Sequence, residues 1–154
     1  MVFGKNGSFE EEREATISDL SKKNVMTLAT SFQDNVTARS VSTVVYAGKI
    51  YFQTDLSMEK SIQMENNKNI ALCVDDFSIV GIAKKIGTWS ENEKILEAYK
   101  KSHLRSYENY KNIKGEVVFE ITIKRIKRWI YVNNKPYIYC LDCMKKNVDL
   151  TPYI

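Results

Sequence analysis

The residues best suited to chemistry fall between positions 37 and 67. Arg39, Thr54, Ser57 and Lys60 bring a guanidinium, two hydroxyls and an ammonium into one stretch. Two runs of β-branched and aromatic residues flank Ala47-Gly48-Lys49, a hairpin pattern. The second run passes through Thr54 and Asp55 into Ser57, a good helix N-cap. Lys60 then falls in the first helical turn. A helix N-terminus presents free backbone N–H groups and the positive end of the dipole. A hydroxyl and an ammonium placed there make a phosphate site. Arg39, on the preceding strand, can add a bidentate guanidinium. The same residues equally allow Arg39 to pair with a carboxylate while Lys60 stays in water.

The surrounding pattern predicts the elements that would hold these groups. Residues 8–23 read as a helix: Ser8 and Glu11 have capping-box spacing, and Ala15, Ile17 and Leu20 form a narrow apolar stripe. Residues 25–31 and 36–46 read as strands joined by Gln33-Asp34-Asn35, and 49–54 as a third. Residues 57–67 form a short helix with Met58 and Ile62 one turn apart. Strands follow at 69–75 and 78–88, the latter carrying Gly81 and Gly87 where a bend or bulge is expected. Ser90 and Glu93 repeat the capping spacing and open a helix to Tyr110, with Ile95, Leu96 and Tyr99 inward. Residues 116–131 alternate as a long strand that slips near Arg125, which predicts a bulge there. The tail, 136–154, holds a short Tyr-Ile-Tyr strand and is read as peripheral or at a subunit interface. About six strands with short connections favour a small antiparallel barrel over a parallel α/β sheet.

The chain of 154 residues is the size of one domain, taken as 1–154, and 44% hydrophobic content suffices for a core. Neither a membrane span nor a signal-peptide core is visible, and three cysteines without framework spacing suit a reducing compartment. The expectation is a cytoplasmic protein. A net charge of +4 admits either a nucleic-acid surface or a site for a small anion.

The run Arg39-Ser40-Val41, then Gly48-Lys49-Ile50-Tyr51-Phe52-Gln53-Thr54, then Lys60, then Glu65-Asn66-Asn67 resembles the flavin-binding signature of the pyridoxamine 5′-phosphate oxidase-like family. The first helix, the Thr-Leu-Ala-Thr strand and Gly81-Ile82-Ala83 also resemble that family. The resemblance implies a mainly β fold with flanking helices, a six-stranded antiparallel split barrel of the FMN-binding type. It implies a homodimer with the flavin at the subunit interface, acting on a small-molecule substrate. Arg39 and Lys60 would hold the FMN phosphate, with Thr54 and Ser57 donating hydroxyl hydrogen bonds. The backbone of Arg39, Ser40, Val41, Ser42 and Thr43 would line the flavin ring, with Phe52 and Gln53 beside it. Family members usually carry Ser-Arg-Lys around the lysine; here the residues are Met58-Glu59-Lys60, which removes a cation and adds an anion. The arginine-rich C-terminal pattern by which pyridoxamine 5′-phosphate oxidases grip their substrate is absent.

The leading expectation is therefore an FMN-dependent oxidoreductase. No side chain stands out as a catalytic acid or base, which suits cofactor-centred chemistry; Tyr46 and Tyr51 are candidate proton donors. The alternatives are a flavin or haem binder that stores or senses, with FAD or a deazaflavin also open as ligand, and a basic nucleic-acid module built on residues 124–128. That basic run is more often a solvated strand face. Cys140-x-x-Cys143 follows a strand-like run and lacks the further ligands of a zinc site, so no metal is expected. Cys73 reads as core, His103 as a solvated or dipole-capping residue late in a helix, and Trp89 and Trp129 as core, flavin-side or dimer-seam aromatics.

Overall fold

The computed structural model describes residues 7–154; the amino-terminal stretch 1–6, part of the segment without a signal-peptide core, lies outside them. In chain order the elements are α1 (Phe9–Ser21), β1 (Val25–Phe32), β2 (Asn35–Ser42), β3 (Val44–Tyr46), β4 (Lys49–Asp55), α2 (Glu59–Asn66), β5 (Asn69–Val74), β6 (Phe77–Lys85), α3 (Glu93–Tyr110), β7 (Glu116–Val132), β8 (Lys135–Asp142) and β9 (Asn147–Pro152). A single antiparallel sheet takes the order β2-β1-β5-β6-β7-β4-β3, and β8 and β9 extend it from β7.

Tight turns set the registers. Gln33-Asp34, Ala47-Gly48 and Asn133-Asn134 all have positive φ, the conformation of a two-residue hairpin turn whose twist matches the strands. The slip expected near Arg125 is present: Val80 pairs with Arg125 but Gly81 with Ile123, so Lys124 is the extra residue. A Cβ on Gly81 would lie 2.7 Å from the Thr122 carbonyl, which explains the glycine at that close approach.

Several expectations need correction. The strand read as 36–46 breaks at Thr43 into β2 and β3, because the chain pairs with β1 as far as Ser42 and with β4 from Val44. The tail adds two full strands, not one short run, which brings the described total to nine. The helix expected from Ser90 begins at Glu93 after a short 3-10 turn at Trp89–Glu91, since the Ser90 hydroxyl pairs with Thr88.

The main core joins Leu28, Ile50, Phe52, Leu72, Phe119, Ile121 and Ile126. A smaller cluster gathers Tyr51, Trp89, Leu96, Tyr99 and Val118 beneath α3. Helix α1 is capped by Ser8 as expected, Oγ accepting from the Glu11 N–H at 3.2 Å. Its buried face is Glu12, Thr16 and Leu20. This differs from the apolar stripe because Tyr139 of β8 brings its hydroxyl to Thr16 (3.0 Å) and Glu12 (3.1 Å), satisfying two buried polar groups. Cys73 is exposed, not core: the inward positions of β5 are Ile70 and Leu72.

Candidate functional site

Strand β2 approaches β4 without a ladder between them. A cleft of about 400 Å³ opens at this seam. Ser40, Val41 and Ser42 come from β2; Gln53, Thr54 and Asp55 from β4; Met58 and Lys60 from the start of α2. The opposite wall is Tyr99, Ser106 and Tyr110 of α3, with Ile113 beyond it. Such a volume falls in the range of small-molecule sites, about 300–1,000 Å³. The serines at the β2 edge leave room for a flat group against the strand.

Of the two cations, Lys60 of α2 lines the cleft and Arg39 of β2 does not, although the Arg39 charge is felt at Lys60. Arg39 is half-buried and donates through Nη1 to the Thr30 hydroxyl (2.8 Å) and the Leu28 carbonyl (3.2 Å), and through Nη2 to Thr37. Gln63 of α2 fixes those threonines, its Oε1 accepting from Thr30 (2.5 Å) and Thr37 (2.7 Å) while Nε2 donates to the Asn35 carbonyl (3.2 Å). All of these partners are neutral. Burial lowers the Arg39 pKa, and Glu59 counters it from a distance. Burial lowers that of Lys60 too, with the Arg39 charge adding to the effect and Asp55 opposing it. Neither cation forms a salt bridge among the described residues. The carboxylate partner that the sequence left open for Arg39 is thus not found there.

Lys60 Nζ instead points to Met58 Sδ at 3.0 Å, and Thr54 Oγ1 donates to the same sulfur at 3.7 Å. A thioether is a weak acceptor. Two good donors therefore meet on a poor partner that is itself half exposed. Thr54 is also held by Ser61, whose hydroxyl lies 3.4 Å away and donates to the Asp55 carbonyl at 2.7 Å.

Other expected positions fall differently. Ser57 does not cap α2; Met58 occupies the N-cap position, and the Ser57 N–H and hydroxyl both donate to Asp55 Oδ1 at 2.8 Å. Those bonds hold the Asp55 carboxyl below its ordinary pKa. The Phe52 side chain is fully enclosed and stacks on Phe119 at 5.9 Å, so it faces the core and not the cleft. The Thr43 side chain is also fully buried. Met58 and Ile62 are exposed, and α2 buries Ser61, Gln63 and Met64 instead. Gln63 escaped the sequence reading because a glutamine in an amphipathic helix carries no signal of its own. Tyr99, Ser106 and Tyr110 sat in a helix read only for its apolar face.

The remaining candidates separate clearly. His103 is buried, with Nε2 2.8 Å from the Thr43 carbonyl, and is not solvated. Trp89 is core and Trp129 is exposed. Burial pushes the Cys140 and Cys143 thiols up, away from the thiolate that redox chemistry needs. The basic run 124–128 is divided. Arg128 turns inward to Asp76 and Asp19 and over the Phe77 ring, while Arg125 and Lys127 face outward beside Asp142 and Asp149. Tyr51 donates to Glu120 at 3.0 Å, and burial together with that bond pushes its pKa up to about 12, which makes it a poor proton donor near neutrality. No described helix is long and apolar enough to cross a membrane.

An antiparallel sheet left open along the seam between β2 and β4, with a cleft there, is a split-barrel architecture. A family model described as "Pyridoxamine 5′-phosphate oxidase" matches residues 10–130, and the chain belongs to that family. Solved structures with this fold include one from Listeria innocua named for a pyridoxamine 5′-phosphate oxidase, 17% identical, covering 80% of this chain and 99% of that one, with a TM-score of 0.60. An FAD-binding protein from Mesorhizobium loti is 14% identical over 73% of this chain and 90% of its own, TM-score 0.59. The haem storage protein of Vibrio cholerae is 11% identical over 71% and 89%, TM-score 0.62. At such identities the likeness establishes the fold: mainly antiparallel β-sheet with three helices. No curated protein matches.

Proposed function

We propose that this protein is an FMN-dependent oxidoreductase acting on a small molecule, with the flavin held in the seam between β2 and β4. The observation that carries the reading is the pair Arg39 and Lys60: partly buried, lowered in pKa and without an ionic partner among the described residues. Buried cations are stable only with compensating charge or hydrogen bonds, and a phosphate supplies both. In this reading a phosphate oxygen takes the place of Met58 Sδ before Lys60 and Thr54. Arg39, oriented by Thr30, Thr37 and Gln63, completes the clamp. The β2 edge at Ser40–Ser42 and Gln53 of β4 flank the ring. Bound FMN supplies the hydride or electron transfer; the protein supplies binding, orientation and exclusion of water.

The ligand site lies beside a surface suited to a second copy of this chain. Val36, Leu56, Met58 and Ile62 are exposed, and Phe32, Val36, Ile62 and Gln63 line a hollow beside the cation pair. A homodimer covering this patch puts the flavin at the subunit interface. The three free cysteines suit a reducing compartment, which supports a cytoplasmic setting.

Haem storage is the competing reading. His103, the sole histidine, commits Nε2 to the Thr43 backbone carbonyl and is not among the residues that line the cleft, which favours flavin. The test is spectroscopic. Purified protein should carry or take up FMN and show flavin absorption, and NADH or NADPH should reduce it without oxygen. A Soret band, or no uptake of FMN, overturns the proposal. Flavin uptake without reduction or turnover leaves a binder and not an enzyme.

A further inference from the structure

We propose that His103 is a positioning residue for the cleft, holding its strand wall and its helix wall at a fixed separation. This rests on the flavin reading above. His103 lies within α3 yet has φ −134° and ψ 38°, outside helical values. The break falls at the residue whose side chain makes a tertiary hydrogen bond. The imidazole is 8% exposed, and its Nε2 lies 2.8 Å from the Thr43 carbonyl oxygen. A carbonyl only accepts, so Nε2 carries the hydrogen.

Thr43 is where β2 ends, directly after Ser40–Ser42 of the strand wall. Its N–H is held by the Asn24 carbonyl and its C=O by His103, so both backbone groups are fixed. The other flank of the imidazole lies against Tyr99, with 4.8 Å between ring centroids and 39° between planes. Tyr99 belongs to the helix wall. The chain that leaves the break at His103 then supplies Ser106, Tyr110 and Ile113 to that same wall.

One side chain thus touches the end of the strand wall, packs on the helix wall and redirects the segment that completes it. Upstream of the break, Leu96 and Tyr99 anchor α3 on Tyr51, Trp89 and Val118. Downstream, a further tie runs from Gln53 Nε2 to the Tyr110 carbonyl at 3.2 Å, in an exposed position. The buried bond at His103 is the firmer of the two, because water competes less for it. A histidine that only filled space would serve the fold through its ring. A positioning histidine serves the cleft through its N–H.

Two variants separate those roles. His103→Gln keeps a donor at the Nε2 position and loses the ring. His103→Phe keeps a ring against Tyr99 and loses the donor. FMN titration, visible circular dichroism of the bound flavin and thermal unfolding are read together. The Gln variant should bind FMN within about threefold of the parent, and the Phe variant about tenfold more weakly, the worth of one buried hydrogen bond. Only the Phe variant should change the flavin dichroism, at similar unfolding temperatures. Parental affinity in the Phe variant, or equal losses of affinity and stability in both, overturns the proposal. A parent that binds no FMN removes the flavin reading itself, and this inference with it. Should the Phe variant not fold, ¹⁵N NMR of the parent's single imidazole decides. An Nε2–H tautomer whose signals move on FMN addition supports the role; the other tautomer, or no movement, overturns it.

Discussion

Lys60 on α2 has its pKa lowered by burial first and by the charge of Arg39, a strand residue, second, so two like charges lie within electrostatic reach of one another. Like charges held this close persist when a ligand of opposite sign offsets the repulsion. Arg39→Ala and Lys60→Ala should each weaken FMN by about 1–3 kcal/mol, the range for losing a charge-assisted contact. The double variant should lose less than the sum, since removing one cation relieves the other. Fluorescence titration of FMN measures all three. Full retention in both single variants would sink the phosphate assignment.

Glu59 and Met58 directly precede Lys60, and both work against an anion there. Glu59 attracts Arg39 electrostatically, and Met58 Sδ takes up the Lys60 ammonium. Glu59→Gln should therefore tighten FMN by about 0.3–1 kcal/mol, the scale of an exposed charge pair. Met58→Ser should act in the same direction by freeing Lys60 and Thr54. The same titration checks both, and weaker binding in either would place the phosphate elsewhere.

The seam was legible from the sequence only through its charged residues. Thr54 and Lys60 could be placed on one cleft because a strand followed directly by a helix fixes their order, and the hairpin turn at Ala47-Gly48 formed as read; Arg39, on β2, lies off that lining. The bulge near Arg125 was legible because slipped alternation has no other simple cause. Phe52 was misplaced because β4 buries Ile50, Tyr51, Phe52 and Thr54, so alternation does not say which face meets the cleft. Ser57 was misplaced because Asp55, two residues earlier, competes for the same N–H and hydroxyl. The Thr30–Thr37–Gln63 network and the contact from His103 to Thr43 join residues far apart in sequence, and no local pattern marks such pairs.

Tyr51 and Tyr139 give the fold a limit at alkaline pH. Burial is the main cause that pushes both phenols up to about 12, with the Glu120 bond adding at Tyr51 and Glu12 at Tyr139. An unfolded tyrosine ionises near 10, about two units lower. The stabilisation is therefore complete below pH ~10 and is lost progressively as pH rises toward ~12, because the unfolded chain releases these protons first. The unfolding temperature should fall across that window. Tyr51→Phe and Tyr139→Phe should each flatten the fall, while lowering the plateau where the hydroxyl's partner is stranded. A parental slope in both variants would show that other groups govern the alkaline limit.

Ile62 tests whether a second copy covers the seam. It is 48% exposed on the same short helix as Lys60 and lines a hollow with Phe32 and Val36, itself 72% exposed. Exposed apolar groups gathered beside a polar site mark an interaction surface, and a charge buried at its centre is costly. Ile62→Glu should shift the protein from dimer to monomer in sedimentation experiments. Because the hollow adjoins the cation pair, the same change should weaken FMN at protein concentrations where the parent stays dimeric. The side chain points away from Gln63 and Met64, the buried face of α2, so the folded monomer should keep its unfolding temperature within a few degrees. A dimer that survives the substitution with unchanged FMN affinity would move the interface to another face, and a parent that is monomeric at all concentrations would remove it.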